Sequence, residues 1–179
     1  MKITVYLGAS FGNDPIYKET AVEIGRWIAR DGHTLIYGGS GVGLMGVLAD
    51  TVMENGGEVI GIEPQFFIDA GMLHEGITKT ITTETMAERR LMMMEMGDAF
   101  IAIPGGVGTL DEISEVIVMM TLGDHDKPCI LYNKNGYYDP LREMFDRMTE
   151  AGFVTEENRR KIRFAETLEE IKELVQYGE

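Results

Sequence analysis

A chain of 179 residues with 44% hydrophobic and 26% charged positions has the length of one α/β domain and enough apolar content for a sizeable core, which excludes a disordered or collagen-like chain. Its 16 lysines and arginines stand against 30 aspartates and glutamates, and the formal net charge of -14 repels nucleic acid and anionic membrane surfaces. Cys129 is the only cysteine, so an intrachain disulfide and a cysteine-rich zinc site are excluded; with no signal peptide and no long apolar run, a cytoplasmic location is expected.

The chain begins with a β-branched run at 2–7 that stops at Gly8, and an amphipathic helix is expected over 16–30. A strand at 34–37 runs into Gly38-Gly39 and a helix at 43–55, and a strand at 58–62 follows. Residues 63–76 are irregular and read as a surface loop or lid. A strand at 77–82, a helix at 86–97 and a strand at 99–103 lead to Pro104-Gly105-Gly106 and a helix at 109–122. The C-terminal third carries a strand at 129–132, a helix at 139–151, a weaker strand at 162–165 and a helix at 167–177. This alternation specifies an α/β fold, an open parallel sheet of about seven strands with helices on both faces, in a single domain spanning 1–179. Ligands of such sheets bind at the carboxyl ends of the strands, so the glycine turns belong on one functional rim.

Three segments carry chemistry. Gly38-Gly39-Ser40-Gly41-Val42-Gly43-Leu44-Met45-Gly46 contains GxGxxG between a strand and a helix. Its glycines either let backbone N–H groups approach a phosphate or only permit a tight turn and close packing, and Glu63, about twenty residues on, can serve a dinucleotide ribose. Pro104-Gly105-Gly106-Val107-Gly108-Thr109-Leu110-Asp111-Glu112 is a second glycine turn. There Thr109 and Glu112 are either ligand groups or a capping box. Between Asp31 and Pro128 the only basic residues are Lys79, Arg89, Arg90 and Lys127, which makes Arg89 and Arg90 the cations available to that rim. At helical spacing both share a face with Met86 and Met93, so each needs an anionic partner in a cleft or must reach outward to a neighbouring glutamate.

The run Val116-Ile117-Val118-Met119-Met120 is apolar around more than one helix face, which predicts a helix–helix homodimer contact. The 13 methionines read as adaptable filler. His33, His74 and His125 lack ligand spacing and read as surface or structural residues, and no metal site is expected.

With Pro104-Gly105-Gly106-x-Gly108-Thr109-x-x-Glu112 placed after Met86-x-x-Arg89-Arg90, the chain resembles the LOG family, the cytokinin riboside 5'-monophosphate phosphoribohydrolases, many once labelled lysine decarboxylases. The resemblance extends to Gly8-Ala9-Ser10, Tyr37-Gly38-Gly39, Gly61-Ile62-x-Pro64, Leu122-Gly123-x-His125-x-Lys127-Pro128 and Asn135-Gly136-Tyr137-Tyr138-Asp139. It departs where Ala87 replaces the family's histidine, Arg90 its lysine and Met119 a frequent tryptophan.

The resemblance implies a Rossmann-like fold and cleavage of a purine nucleoside 5'-monophosphate, with adenine or an N6-modified adenine as base, to free base and ribose 5-phosphate. No metal or organic cofactor is implied. Glu112 is implied as the carboxylate that stabilises an oxocarbenium-like ribose, and Arg89 as its catalytic partner. Gly105, Gly106, Gly108 and Thr109 are implied as the phosphate grip, Ser10, Gly39 and Gly43 as the opposing turn, Arg90 as a second cation, and Met45 and Met86 as walls for the base. The alternative in the same superfamily is a non-catalytic nucleotide or molybdenum-cofactor carrier. A pyridoxal-dependent decarboxylase is disfavoured because none of the 7 lysines lies in or beside these motifs.

Overall fold

The computed structural model describes residues 1–177. Its centre is β1 (Lys2–Tyr6), whose last four residues are all buried, and β5 (Ala99–Ala102), buried throughout. Strands covered on both faces read as continuous apolar runs, and this is why they are legible. The remaining strands are β2 (Thr34–Tyr37), β3 (Glu58–Pro64), β4 (Lys79–Thr83), β6 (Cys129–Tyr132) and β7 (Ile162–Ala165). All pair in parallel, in the order β4-β3-β2-β1-β5-β6-β7.

Helices α1 (Pro15–Arg30), α2 (Gly43–Glu54) and α8 (Leu168–Tyr177) cover one face through Ile24, Ile28, Leu48, Val52 and Ile171. Helices α4 (Met86–Met96), α5 (Val107–Thr121) and α6 (Asp139–Glu150) cover the other through Met93, Met94, Ile113, Val116 and Phe145. Local chemistry sets the starts. Asp14 accepts from the Ile16 amide at 2.9 Å ahead of Pro15, and Thr85 accepts from the Glu88 amide at 3.1 Å.

The chain winds outward from β1 through β2, β3 and β4, then crosses back to β5 and winds the other way. The turns leaving β1 and β5 therefore diverge and open a crevice, the switch point at which such sheets bind ligands. They stay in touch at its base, where the Gly8 amide donates to the Pro104 carbonyl at 3.3 Å.

Three expectations change. The helix placed at 109–122 begins at Val107 with Gly106 as its N-cap, so Thr109 and Glu112 lie inside it and form no capping box. Thr109 is buried against Gly105, and Glu112 is engaged by Arg89 from α4. Residues 63–76 are not a free surface loop. Strand β3 runs on through Pro64, α3 (Gln65–Asp69) follows, and the segment is sewn to the β2 turn by Gly41 N–H to the Met72 carbonyl and His74 N–H to the Gly39 carbonyl, both 2.9 Å. Two short elements were not expected: a 3-10 turn at Lys134–Gly136 and α7 (Glu156–Lys161), capped by Thr155. No helix among the described residues is long and apolar enough to cross a membrane.

Candidate active site

Helix α4 sets the centre of the site. Its register puts Arg89 and Met93, four apart, on the sheet-facing side, while Arg90 falls about 100° round the helix. Arg89 donates from Nε to the Ile62 carbonyl at 3.0 Å and from Nη1 to Glu112 Oε1 at 2.6 Å. The two side chains are 8% and 11% exposed. Gly38 makes room for this guanidinium, since a Cβ there would lie 1.9 Å from Nη2. Burial pushes the Glu112 carboxyl above its ordinary value, and Arg89 opposes the shift by charge and by hydrogen bond.

The pair lies in a cleft of about 480 Å³ at the carboxyl rim of the sheet. One end is the start of α5, with Gly106, Val107, Gly108 and Thr109. The first N–H groups of a helix have no intrahelical acceptor, so this end has the chemistry to take an anion without a lysine. The β1 turn supplies Gly8, Ala9 and Ser10, while Met45, Phe67, Met72 and Met86 make an apolar far end. A neighbouring hollow of about 420 Å³ shares Gly8, Ser10 and Gly106 with it.

Of the residues singled out in the sequence, the fold brings Arg89, Glu112, Ser10, Met45, Met86, Gly106, Gly108 and Thr109 together around this cleft. Gly105 lies behind it, facing the second hollow, with its carbonyl accepting from the Tyr137 hydroxyl at 2.5 Å. Gly39 and Gly43 do not line the cleft. They are packing glycines at φ +85° and +60°: a Cβ would meet Glu63 Oε2 at 2.6 Å from Gly39 and the Ala9 carbonyl oxygen at 2.2 Å from Gly43.

Arg90 is also outside. It pairs with Glu115 at 2.7 Å and Asp111 at 3.4 Å on the flank of α5, and its hydrogen bond to Glu115 raises its pKa. That placement holds α4 to α5 and leaves Arg90 off the cleft lining, behind Asp111. Ala87, at the family histidine's position, is exposed and likewise does not line the cleft.

Phe67 and Met72 were missed because their signal is tertiary: α3 is only one turn, and it is pinned by the β2 turn. Glu63 was read as a dinucleotide ribose partner, yet it is buried in the wall of this same cleft. Tyr137 and Tyr138 brace the β5 turn, the latter donating to the Ile103 carbonyl at 2.8 Å.

Comparisons with known proteins converge on one group. A family model described as "Possible lysine decarboxylase" matches residues 45–175. The chain is 42% identical over 161 residues to the cytokinin riboside 5'-monophosphate phosphoribohydrolase of Rhodococcoides fascians, covering 89% of this chain and 81% of that protein. It is 39% identical over 170 residues to the cytokinin riboside 5'-monophosphate phosphoribohydrolase LOG of Oryza sativa subsp. japonica, covering 95% of this chain and 70% of the other. Among solved structures, the molybdenum cofactor binding protein of Rippkaea orientalis superposes with a TM-score of 0.76 at 23% identity, over 98% of this chain and 94% of that one. At that identity the likeness shows a shared Rossmann-like fold.

Proposed function

The chain belongs to the LOG family of cytokinin riboside 5'-monophosphate phosphoribohydrolases, and from that premise we propose that it hydrolyses the N-glycosidic bond of an adenine or N6-modified adenine nucleoside 5'-monophosphate to free base and ribose 5-phosphate. The observation that carries this reading is the buried Arg89–Glu112 pair set in a cleft between two glycine turns. In the proposed complex the phosphate sits on the N–H groups of Gly106, Gly108 and Thr109 at the positive end of α5, which explains how a chain of net charge -14 takes an anionic substrate. The ribose then lies beside Glu112. Cleavage draws electrons from C1' toward the base, so a carboxylate at that carbon stabilises the oxocarbenium-like state and orients the attacking water. Arg89 opposes the burial that raises the Glu112 pKa, aims that carboxylate, and presents positive charge toward the departing base. Met45 and Met86 supply polarizable walls for the base.

The family model's description points to a decarboxylase, but a pyridoxal Schiff base needs a lysine and the cleft lining contains none. The residues do not fit that cofactor. A carrier role needs a cleft that binds without reacting, and a charge-paired carboxylate beside the ribose seat favours the hydrolase.

The test is to incubate the purified protein with AMP, N6-isopentenyl-AMP, GMP and CMP, without added cofactor, and follow free base and ribose 5-phosphate by chromatography. Release from the adenine nucleotides is expected. Tight nucleotide binding with no release from any of the four would favour the carrier instead.

A cytoplasmic homodimer belongs to the same reading, the location resting on the free, buried thiol of Cys129. On α5, Val116, Ile117 and Met120 are buried under the sheet, while Val118 and, at its C-cap, Leu122 are 51% and 74% exposed and lie on one side with exposed Leu110, two helical repeats before Val118. Such a stripe is covered in a helix–helix dimer. Light scattering at micromolar concentration is expected to give twice the 20.0 kDa chain mass, and Val118→Glu with Leu122→Glu is expected to give the monomer. A wild-type monomer would overturn it.

A further inference from the structure

Glu63, next to last in β3, lines the cleft, 2% exposed, and its Oε2 is buried with no hydrogen-bond partner among the described residues. The mechanism above leaves it without a task. It also leaves one step without an agent, because a neutral adenine departs readily only if a ring nitrogen is protonated as the bond breaks.

Position assigns the residue to the base rather than to the ribose or phosphate. The anion seat lies at the end of β5, whereas Glu63 lies at the end of β3, three strands across the rim. Strand spacing makes that about 14 Å, the far side of the cleft from the phosphate. Arg89 connects the two ends, bonding through Nε to the carbonyl of Ile62, the neighbour of Glu63, and through Nη1 to Glu112. With the ribose at Glu112, the group that reaches Glu63 is the base.

We propose that Glu63 is the proton donor to the departing base, a role that rests on the phosphoribohydrolase reading. In that step the Glu63 carboxyl proton passes to a purine ring nitrogen while the N9–C1' bond breaks and its electron pair leaves with the base. Water adds its oxygen to C1' and gives its proton to Glu112. Both carboxyls return to their starting states by proton exchange with solvent, so the sum is nucleotide plus water to base plus ribose 5-phosphate.

The surroundings keep the proton in place. Burial pushes the Glu63 carboxyl up to about 7; Arg89 of α4 pulls it down and Glu112 of α5 pushes it further up. On β2 the Tyr37 hydroxyl is also buried and unpartnered, and its pKa is raised by burial and then by Glu63. From β4 the residue opposite is Thr82, which does not titrate. Behind the Gly39 turn, His74 is paired with Asp50 at 2.8 Å. A carboxyl titrating near neutrality is the range in which a general acid works best.

The experiment compares wild type and Glu63→Gln on N6-isopentenyl-AMP and AMP, whose bases need a proton, and on 4-nitrophenyl riboside 5'-phosphate, whose leaving group does not. On the adenine nucleotides kcat is expected to fall about 10²-fold or more. Nitrophenolate release is expected to stay near the wild-type rate, which also reports an intact fold. Wild-type kcat/KM on the adenine nucleotides is expected to decline above about pH 7 as Glu63 loses its proton, and Glu63→Gln is expected to lack that limb.

An equal loss on both leaving groups, or none on the adenine nucleotides, would overturn the assignment while leaving the hydrolase standing. A wild type inactive on every substrate would overturn both. If the wild type cleaves adenine nucleotides but not the nitrophenyl compound, the pH limb decides alone.

Discussion

Glu112→Gln is expected to lower kcat for base release about 10³-fold while nucleotide binding persists, the scale of loss when one preorganised electrostatic group is removed from a reacting centre. The substitution keeps the shape and an acceptor oxygen for Arg89 Nη1, so the wall of the cleft stays in place. It removes the negative charge that meets the developing cation at C1'. The proposed phosphate seat at Gly106, Gly108 and Thr109 is backbone and is untouched, so binding measured by calorimetry is expected to hold. Loss of kcat with binding intact marks a group that acts in the transition state. A variant that turns over at the wild-type rate would remove Glu112 from the chemistry and return it to a purely structural ion pair.

Arg89→Ala is expected to damage both function and fold. It strips the directly paired cation from a buried carboxylate, and breaking a buried pair from one side costs about 3–5 kcal/mol. It also frees the Ile62 carbonyl at the rim of β3. Burial already holds the Glu112 carboxyl above its ordinary value with Arg89 opposing, so without Arg89 the carboxyl moves higher still. The sign of the consequence is definite. A folded-state pKa above the unfolded one means that the native state holds more protons, so stability is lost as pH rises through the folded value. Urea melts of the variant are therefore expected to show a larger deficit at pH 8 than at pH 5, with base release absent at both. Arg89→Lys tests the geometry: it keeps the charge, but a single ammonium lacks the planar fork that serves Ile62 and Glu112 together. Full activity in the lysine variant would reduce Arg89 to a bare charge.

The two arginines show where local reading stops. Periodicity put Arg89 and Arg90 on one broad face of α4, and both need anions. Only Arg89 turns into the cleft. Arg90 finds Glu115 and Asp111 on α5, partners 25 and 21 positions away that no spacing within α4 points to. The Thr109-x-x-Glu112 pattern is a second case. It satisfies the local rule for a helix start, yet the helix begins earlier, at Val107 with Gly106 as its N-cap, and Arg89 takes the glutamate that the cap would have used.

What the sequence by itself determined is the alternating α/β order, the seven strands and the glycine turns, and it singled out Arg89 and Glu112, which the fold pairs in the cleft. These were legible because strands buried on both faces must be continuously apolar and because glycine marks the turns that end them. The tertiary structure alone decided the crevice between β1 and β5, the removal of Gly39, Gly43 and Arg90 from the cleft lining, and the capture of Glu63, Phe67 and Met72 into it. One-turn α3 and short α7 have too few internal hydrogen bonds to announce themselves and depend on what they pack against. A carboxyl such as Glu63 acquires its proton-holding character only when the fold withdraws it from water, and no residue's spacing within the chain encodes that burial.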